Sequence, residues 1–162
     1  MAASPHLLIA WHSRTGASEA LALAAAKGVG DGALVMRASA VNPEDLLAAD
    51  GYLFVCPENL ASMSGEMKEM FDRCYYPVLG RIEGRPYATM IAAGSDGEGA
   101  QRQIDRIATG WRLKRVAEPI IVITGAQTPE AIASQKVLAA DAIRQARELG
   151  EALSTGVALG IF

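Results

Sequence analysis

The sequence predicts an α/β fold, a doubly wound parallel sheet of five strands sandwiched between helices. Three observations predict it. Apolar runs and helical stretches alternate along all 162 residues. The apolar runs are continuous rather than every-other-residue, which is how strands covered on both faces read. The length suits one domain, residues 1–162, with a sizeable core and no room for a second cofactor domain.

The elements follow in order. Strands are expected at Leu7–Trp11, Ala33–Met36, Gly51–Cys56, Tyr87–Ala93 and Pro119–Ile123. The first helix is expected over Ala17–Lys27, stopped by the Gly28-Val29-Gly30-Asp31-Gly32 cluster, which reads as a helix end and loop. Asn42-Pro43-Glu44 combines a cap with proline in the first turn, so a short helix is expected over Pro43–Ala48. Pro57 lacks the N–H that a central ladder needs, so the chain is expected to leave the sheet there. Ser64 is then the expected cap of a helix over Gly65–Tyr75. Met67, Met70, Phe71 and Cys74 share one face of it, which reads as core packing rather than a substrate box. Further helices are expected over Gly99–Thr109 and Ser134–Leu153, the last with Leu138, Ala142, Ala146, Leu149 and Leu153 on one face. Thr124–Ala133 reads as the longest irregular stretch.

Composition excludes several classes of function. Fifteen Lys and Arg stand against eighteen Asp and Glu, a net charge of -3 that gives no footprint for nucleic acid or an anionic membrane surface. The opening Met1-Ala2-Ala3-Ser4-Pro5-His6 lacks the basic start of a signal peptide, and no apolar run reaches the roughly 18 residues of a membrane span. A cytoplasmic location is expected. Cys56 and Cys74 are the only cysteines and neither has a ligand at metal spacing, so no metal site or disulfide framework is expected. With only His6 and His12, a hydrolytic triad has little to draw on.

In such a sheet, ligands bind at the carboxyl ends of the strands near the switch in strand order. Three loops therefore matter. The first, Ser13-Arg14-Thr15-Gly16-Ala17-Ser18, offers three hydroxyls and a glycine at a helix start, where unpaired N–H groups and the helix dipole favour a phosphate. The same residues also suit an ordinary helix cap. Arg14 stands open between neutralising that phosphate and being solvated. The second loop runs Pro57-Glu58-Asn59-Leu60-Ala61-Ser62-Met63-Ser64, longer than the about 2–6 residues a strand-to-helix connection needs, and its small apolar side chains suit a flat ring system. Glu58, its only carboxylate, reads as solvated rather than as a proton donor. The third, Gly94-Ser95-Asp96-Gly97, carries Gly99 two residues on and exposes backbone donors. Its G-x-x-G-x-G spacing in a late turn is not the dinucleotide fingerprint.

These loops, together with Asp50-Gly51-Tyr52-Leu53-Phe54-Val55-Cys56-Pro57 and Met63-Ser64-Gly65-Glu66-Met67-Lys68 followed by Phe71-Asp72-Arg73, resemble the flavodoxin-like superfamily over about residues 7–125. Within it, the chain is most similar to NAD(P)H-dependent FMN reductases and quinone reductases of the tryptophan-repressor-binding-protein type. The resemblance implies strand order 2-1-3-4-5 and noncovalent FMN. Ser13 to Ser18 would hold the phosphate, Pro57 to Ser64 would lie along the isoalloxazine with backbone amides on its polar edge, and Gly94 to Gly97 would border the other side. It also implies NADH or NADPH as co-substrate, a quinone, flavin or other small acceptor, and a homodimer or larger homo-oligomer. No side chain is assigned as catalytic, since flavin N5 carries the hydride transfer. The chain departs from the resembling proteins at Leu60, where an aromatic residue is common, Ala61, where glycine is usual, and Ala17, where asparagine is frequent. An electron carrier between proteins and a flavin-free binding module on the same fold are the alternative readings. Neighbouring activities are excluded by residue: six positions after Cys56 stands Ser62 rather than the arginine of a low-molecular-weight tyrosine phosphatase, and no G-x-S-x-G elbow occurs. Cys56 reads as a buried strand-end thiol, not a nucleophile.

Overall fold

The computed structural model describes residues 4–162; Met1–Ala3, part of the opening read for a leader segment, lie outside the described residues. The apolar runs form a parallel sheet. β1 (Leu7–Trp11) pairs on one side with β2 (Ala33–Arg37) and on the other with β3 (Gly51–Asn59), which pairs with β5 (Pro86–Ala93). A two-residue strand, β4 (Ser62–Met63), folds back antiparallel on the end of β3.

The fifth expected strand is split. β6 (Lys114–Arg115) pairs with Pro86 and Tyr87, and β7 (Ile120–Ile123) pairs with Met90 to Ala93, both along the outer edge of β5. Pro119, expected as the first residue of the fifth strand, lies in the gap between them. Counting β6 and β7 as one interrupted edge gives the order 2-1-3-4-5, the α/β flavodoxin-like arrangement, although the sheet holds seven strand segments.

Successive strand residues point to opposite faces, so the two faces bury different sets. One face carries Leu8, Ala10, Tyr52, Phe54, Cys56 and Ile91 against α2 (Pro43–Ala48), α3 (Gly65–Val78) and α4 (Glu98–Gly110). Met67, Met70, Phe71 and Cys74 are core residues of α3, as their spacing predicts. The other face carries Leu7, Ile9, Leu53, Val55, Ala88 and Met90 against α1 (Ala17–Val29) and α6 (Ala140–Leu159). These two helices approach backbone to backbone: a Cβ on Gly150 would stand 2.1 Å from the Ala25 carbonyl oxygen, and one on Gly28 would stand 1.9 Å from that of Arg147. Gly28 thus lies inside α1 rather than in the loop expected there, and the stop is Gly30, whose φ is positive at 82°.

Two boundaries depart from the sequence reading for physical reasons. β3 does not end at Pro57, which is paired in register with Ala92. The Val55 carbonyl accepts from His12 N–H on the β1 side, and by the period of two Pro57 faces that same side, beyond the last β1 residue. No ladder partner there requires a donor, and the Pro57 carbonyl accepts from Ser64 N–H at 3.1 Å. The last helix starts at Ala140, not Ser134, because Thr128-Pro129 opens a separate short helix, α5 (Pro129–Ala133), whose Ala131 N–H donates to the Thr128 hydroxyl. Thr124–Ala133 is therefore not wholly irregular, and residues 134–139 cross between α5 and α6 as a strap outside any helix, so Leu138 lies outside the helix it was assigned to.

Candidate functional site

The loops after β1, β3 and β5 emerge on one edge of the sheet and are tied to each other. Ser64 Oγ and His12 Nδ1 share a 2.8 Å hydrogen bond that links the first loop to the second. Glu58 links the second to the third: its carboxylate accepts from the Gly97 N–H at 2.9 Å and the Ala100 N–H at 3.0 Å. Glu58, expected from the sequence to be solvated, is instead engaged: it satisfies the start of α4 from a neighbouring loop.

In the first loop the chain leaves β1 and enters α1 through Gly16, left-handed at φ 97°, a conformation that suits glycine. The Gly16 N–H donates to Ser13 Oγ at 2.9 Å. Arg14 is exposed, Thr15 is half-buried and Ala17 is buried. Ser18 is 1% exposed and, among the described residues, its hydroxyl has no hydrogen-bond partner. A buried hydroxyl left unpaired costs free energy, and a group that persists this way calls for an explanation. It stands in the first turn of α1, where N–H groups without helical partners and the positive end of the dipole favour an anion. The residues present therefore fit a phosphate.

The second loop is a β-hairpin. Glu58 faces Met63 and Asn59 faces Ser62, leaving Leu60 and Ala61 as a two-residue turn with both φ positive, at 52° and 63°. That is the I′ type, in which glycine and asparagine are the favoured residues. The Leu60 side chain is fully exposed at the tip. Gln103 of α4, which sequence reasoning missed, pins the hairpin: its Oε1 accepts from the Met63 N–H at 2.8 Å and from the Ser62 hydroxyl at 3.0 Å. The Met63 amide expected to face a ligand is therefore already engaged. Gly99 allows the close fit, since a Cβ there would meet the Ala61 carbonyl oxygen at 2.2 Å. Ser64 precedes α3, but its side chain turns to His12 instead of capping the helix.

In the third loop Ser95 and Asp96 are exposed, while Gly97 is buried and left-handed. The Gly94 carbonyl accepts from the Gly125 N–H at 3.1 Å, so the stretch after β7 borders this loop. Two further residues missing from the sequence reading stand against the first loop. The Gln135 amide nitrogen lies where a Cβ on Gly16 would be 2.1 Å away, and the Lys136 N–H donates to the Thr15 carbonyl at 2.8 Å. No local pattern signals either, because the contacts span more than a hundred positions of the chain.

Burial holds the His12 imidazole below its ordinary pKa, outweighing the Glu66 carboxylate 3.8 Å away; Arg37 and Arg14 lower it further. The Cys56 thiol is fully buried and burial pushes it up to about 12, which leaves no thiolate for nucleophilic chemistry near neutrality. Among the described residues, no cluster of three or more His, Cys, Asp or Glu side chains could hold a metal ion, and no helix is long and apolar enough to cross a membrane.

A sequence profile of NADPH-dependent FMN reductases matches residues 40–128, more than half of the chain and inclusive of the second and third loops. The chain belongs to the NADPH-dependent FMN reductase family. Membership makes it an FMN-linked oxidoreductase. Solved structures agree on the fold of this family member. A flavodoxin from the domain Archaea superposes with TM-score 0.76 at 15% identity, covering 94% of this chain and 99% of that one. A WrbA-like flavodoxin from Agrobacterium tumefaciens gives 0.71 at 17%, covering 96% and 99%. Rubredoxin oxygen:oxidoreductase from Desulfovibrio gigas gives 0.77 at 12%, with 96% of this chain matching 37% of that larger protein. No curated protein matches the sequence.

Proposed function

We propose that this chain binds FMN without a covalent link and passes electrons from NADH or NADPH to a quinone, a flavin or another small acceptor. The observation that carries the reading is the buried, unpartnered Ser18 hydroxyl in the first turn of α1, beneath left-handed Gly16. Ser13, Thr15 and Ser18 hydroxyls and the free amides of that turn hold the phosphate, with Arg14 adding charge from the solvent side. The hairpin from Pro57 to Ser64 lies along the isoalloxazine, Leu60 offering an apolar surface at the tip, and Gly94 to Gly97 border the opposite side. Bound flavin supplies two-electron acceptance and its release singly or in pairs.

The chain's own contribution is binding, orientation and shielding. Glu58 and Gln103 fix the hairpin to α4, which pre-organises the ring pocket without moving a proton. The activity is assigned to the cytoplasm, which suits the two free, buried thiols, and to a homo-oligomer, which sedimentation would reveal.

The test is the absorbance spectrum of purified protein supplied with FMN, then mixed anaerobically with NADH or NADPH. A bound-flavin spectrum that bleaches on mixing supports the reductase. Bound flavin that nicotinamide leaves oxidised makes the chain an electron carrier, and a protein that takes up no flavin overturns the reading.

A further inference from the structure

Lys136 sits in the strap between α5 and α6, and its ammonium is fixed by three hydrogen bonds: to Ser134 O at 2.6 Å, Ile132 O at 2.9 Å and Thr15 Oγ1 at 3.3 Å. All three acceptors are neutral. Among the described residues, Lys136 joins no ion pair. A lysine ordinarily trails its head into water, so a flexible cation tied down on oxygens with no countercharge is an unusual expense of side-chain freedom. Its location adds to the imbalance, because the strap is bonded to Thr15, one residue before the glycine at which α1 begins. The positive end of that helix and exposed Arg14 lie in the same corner.

We propose that Lys136 is a ligand-binding residue that reaches the first loop from the far end of the chain and supplies the countercharge for a terminal phosphomonoester. The proposal rests on the reading of the first loop as the FMN phosphate site. Thr15 Oγ1 accepts from the ammonium, which leaves the hydroxyl's own proton free to donate to the phosphate. Beside it, the Gln135 amide lies over Gly16 as a neutral donor. Two cations and a helix start favour a monoester, which carries between one and two negative charges at neutral pH, over the single charge on each phosphate of a diphosphate ester. Lys136 thereby discriminates FMN from riboflavin, which lacks phosphate, and from FAD, in which that phosphate is esterified again.

Flavin fluorescence titrations of wild-type protein, Lys136→Met and Lys136→Arg with FMN, riboflavin and FAD test this, each at low and high salt. Lys136→Met is expected to lose about ten- to a hundredfold in FMN affinity, the scale of one charge-assisted hydrogen bond, while riboflavin affinity stays within about twofold. Its FMN binding should also become less sensitive to salt, and Lys136→Arg should keep most of the FMN preference. Thermal unfolding of each variant checks that the fold survives. Should Lys136→Met not fold, Lys136→Gln, which removes the charge but keeps a polar head, carries the same test, and a wild-type FMN affinity that neither falls with salt nor exceeds riboflavin affinity overturns the proposal. Equal losses for FMN and riboflavin, or an unchanged ratio, reduce Lys136 to an anchor of the strap and overturn the proposal. Wild-type protein that binds no flavin at all overturns the FMN reading and this proposal together, whereas wild-type binding with an unaltered ratio in Lys136→Met overturns this one alone.

Discussion

Helices α1 and α4 begin alike and differ in what completes them. Each has 13 residues, and each is entered through a left-handed glycine with no side chain of its own to cap the helix, Gly16 at φ 97° and Gly97 at φ 88°. At α4 the protein supplies the anion, because the Glu58 carboxylate takes the Gly97 and Ala100 amides. At α1 the Gly16 amide is taken by a neutral serine oxygen, while Glu19 of the first turn is exposed and Ser18 is buried without a partner among the described residues. The Lys136 ammonium stands beside the first loop, donating to Thr15 Oγ1 at 3.3 Å. A helix start that carries its own carboxylate is complete as folded, and one lined with open donors suits an anion from outside.

The sharpest way to break this contrast is to strip the α1 loop. Replacing Ser13, Thr15 and Ser18 together by alanine should raise the FMN dissociation constant about a hundredfold, at roughly 1 kcal/mol for each lost hydrogen bond, as read by fluorescence titration. An unaltered constant would put the phosphate elsewhere. Next in size is Glu58→Ala, which strands two amides at the start of α4 and should lower unfolding stability by about 1–3 kcal/mol, seen as a lower urea midpoint at constant slope. A midpoint that stays put would mean that α4 needs no carboxylate, and the two helices would no longer differ.

A smaller effect of opposite sign is expected at α1. Ser18→Ala removes a buried, unpaired hydroxyl, so the ligand-free protein should gain about 1 kcal/mol, or about 2–4 °C in Tm by calorimetry, while its FMN binding weakens. A drop in Tm without ligand would show that the hydroxyl has a partner after all. The smallest effect is the pH dependence set by His12. Its folded pKa lies below the ordinary 6.5, so under pH 6.5 the unfolded chain takes up a proton that the native imidazole resists. Stability is therefore full above that value and falls as the pH drops toward the folded pKa. Urea titrations at pH 7.5 and 5.5 should show a decline that is smaller in His12→Gln; an equal decline in both would assign it to other groups.

Much of this architecture was legible in the sequence, since a continuous apolar run of β-branched and aliphatic residues has few alternatives to a buried strand. β1 and α2 fall at the residues expected, and the α3 core face follows the 3.6-residue period. The three loops were legible because the alternation of strands and helices dictates which turns share an edge. What was hidden depends on contacts distant in sequence. Glu58 reads as one exposed acid until α4, some forty residues later, is seen to begin against it. Gln135 and Lys136 fall in the first turn of the helix expected over Ser134–Leu153, and only the Thr128 cap and the bond to Thr15 reveal that the chain is unwound there. Pro57 misled because a proline forbids a strand only where its missing donor would have met a neighbour.

The inert state of the two thiols has a practical side. Cys56 is completely enclosed, Cys74 is buried as well, and burial raises both above the usual thiol range. Peroxide and alkylating reagents attack thiolates that solvent can reach, so neither side chain is open to damage while the fold is closed. The rate at which a thiol reagent labels the native protein is then a clock for its rare openings, one that needs no engineered probe.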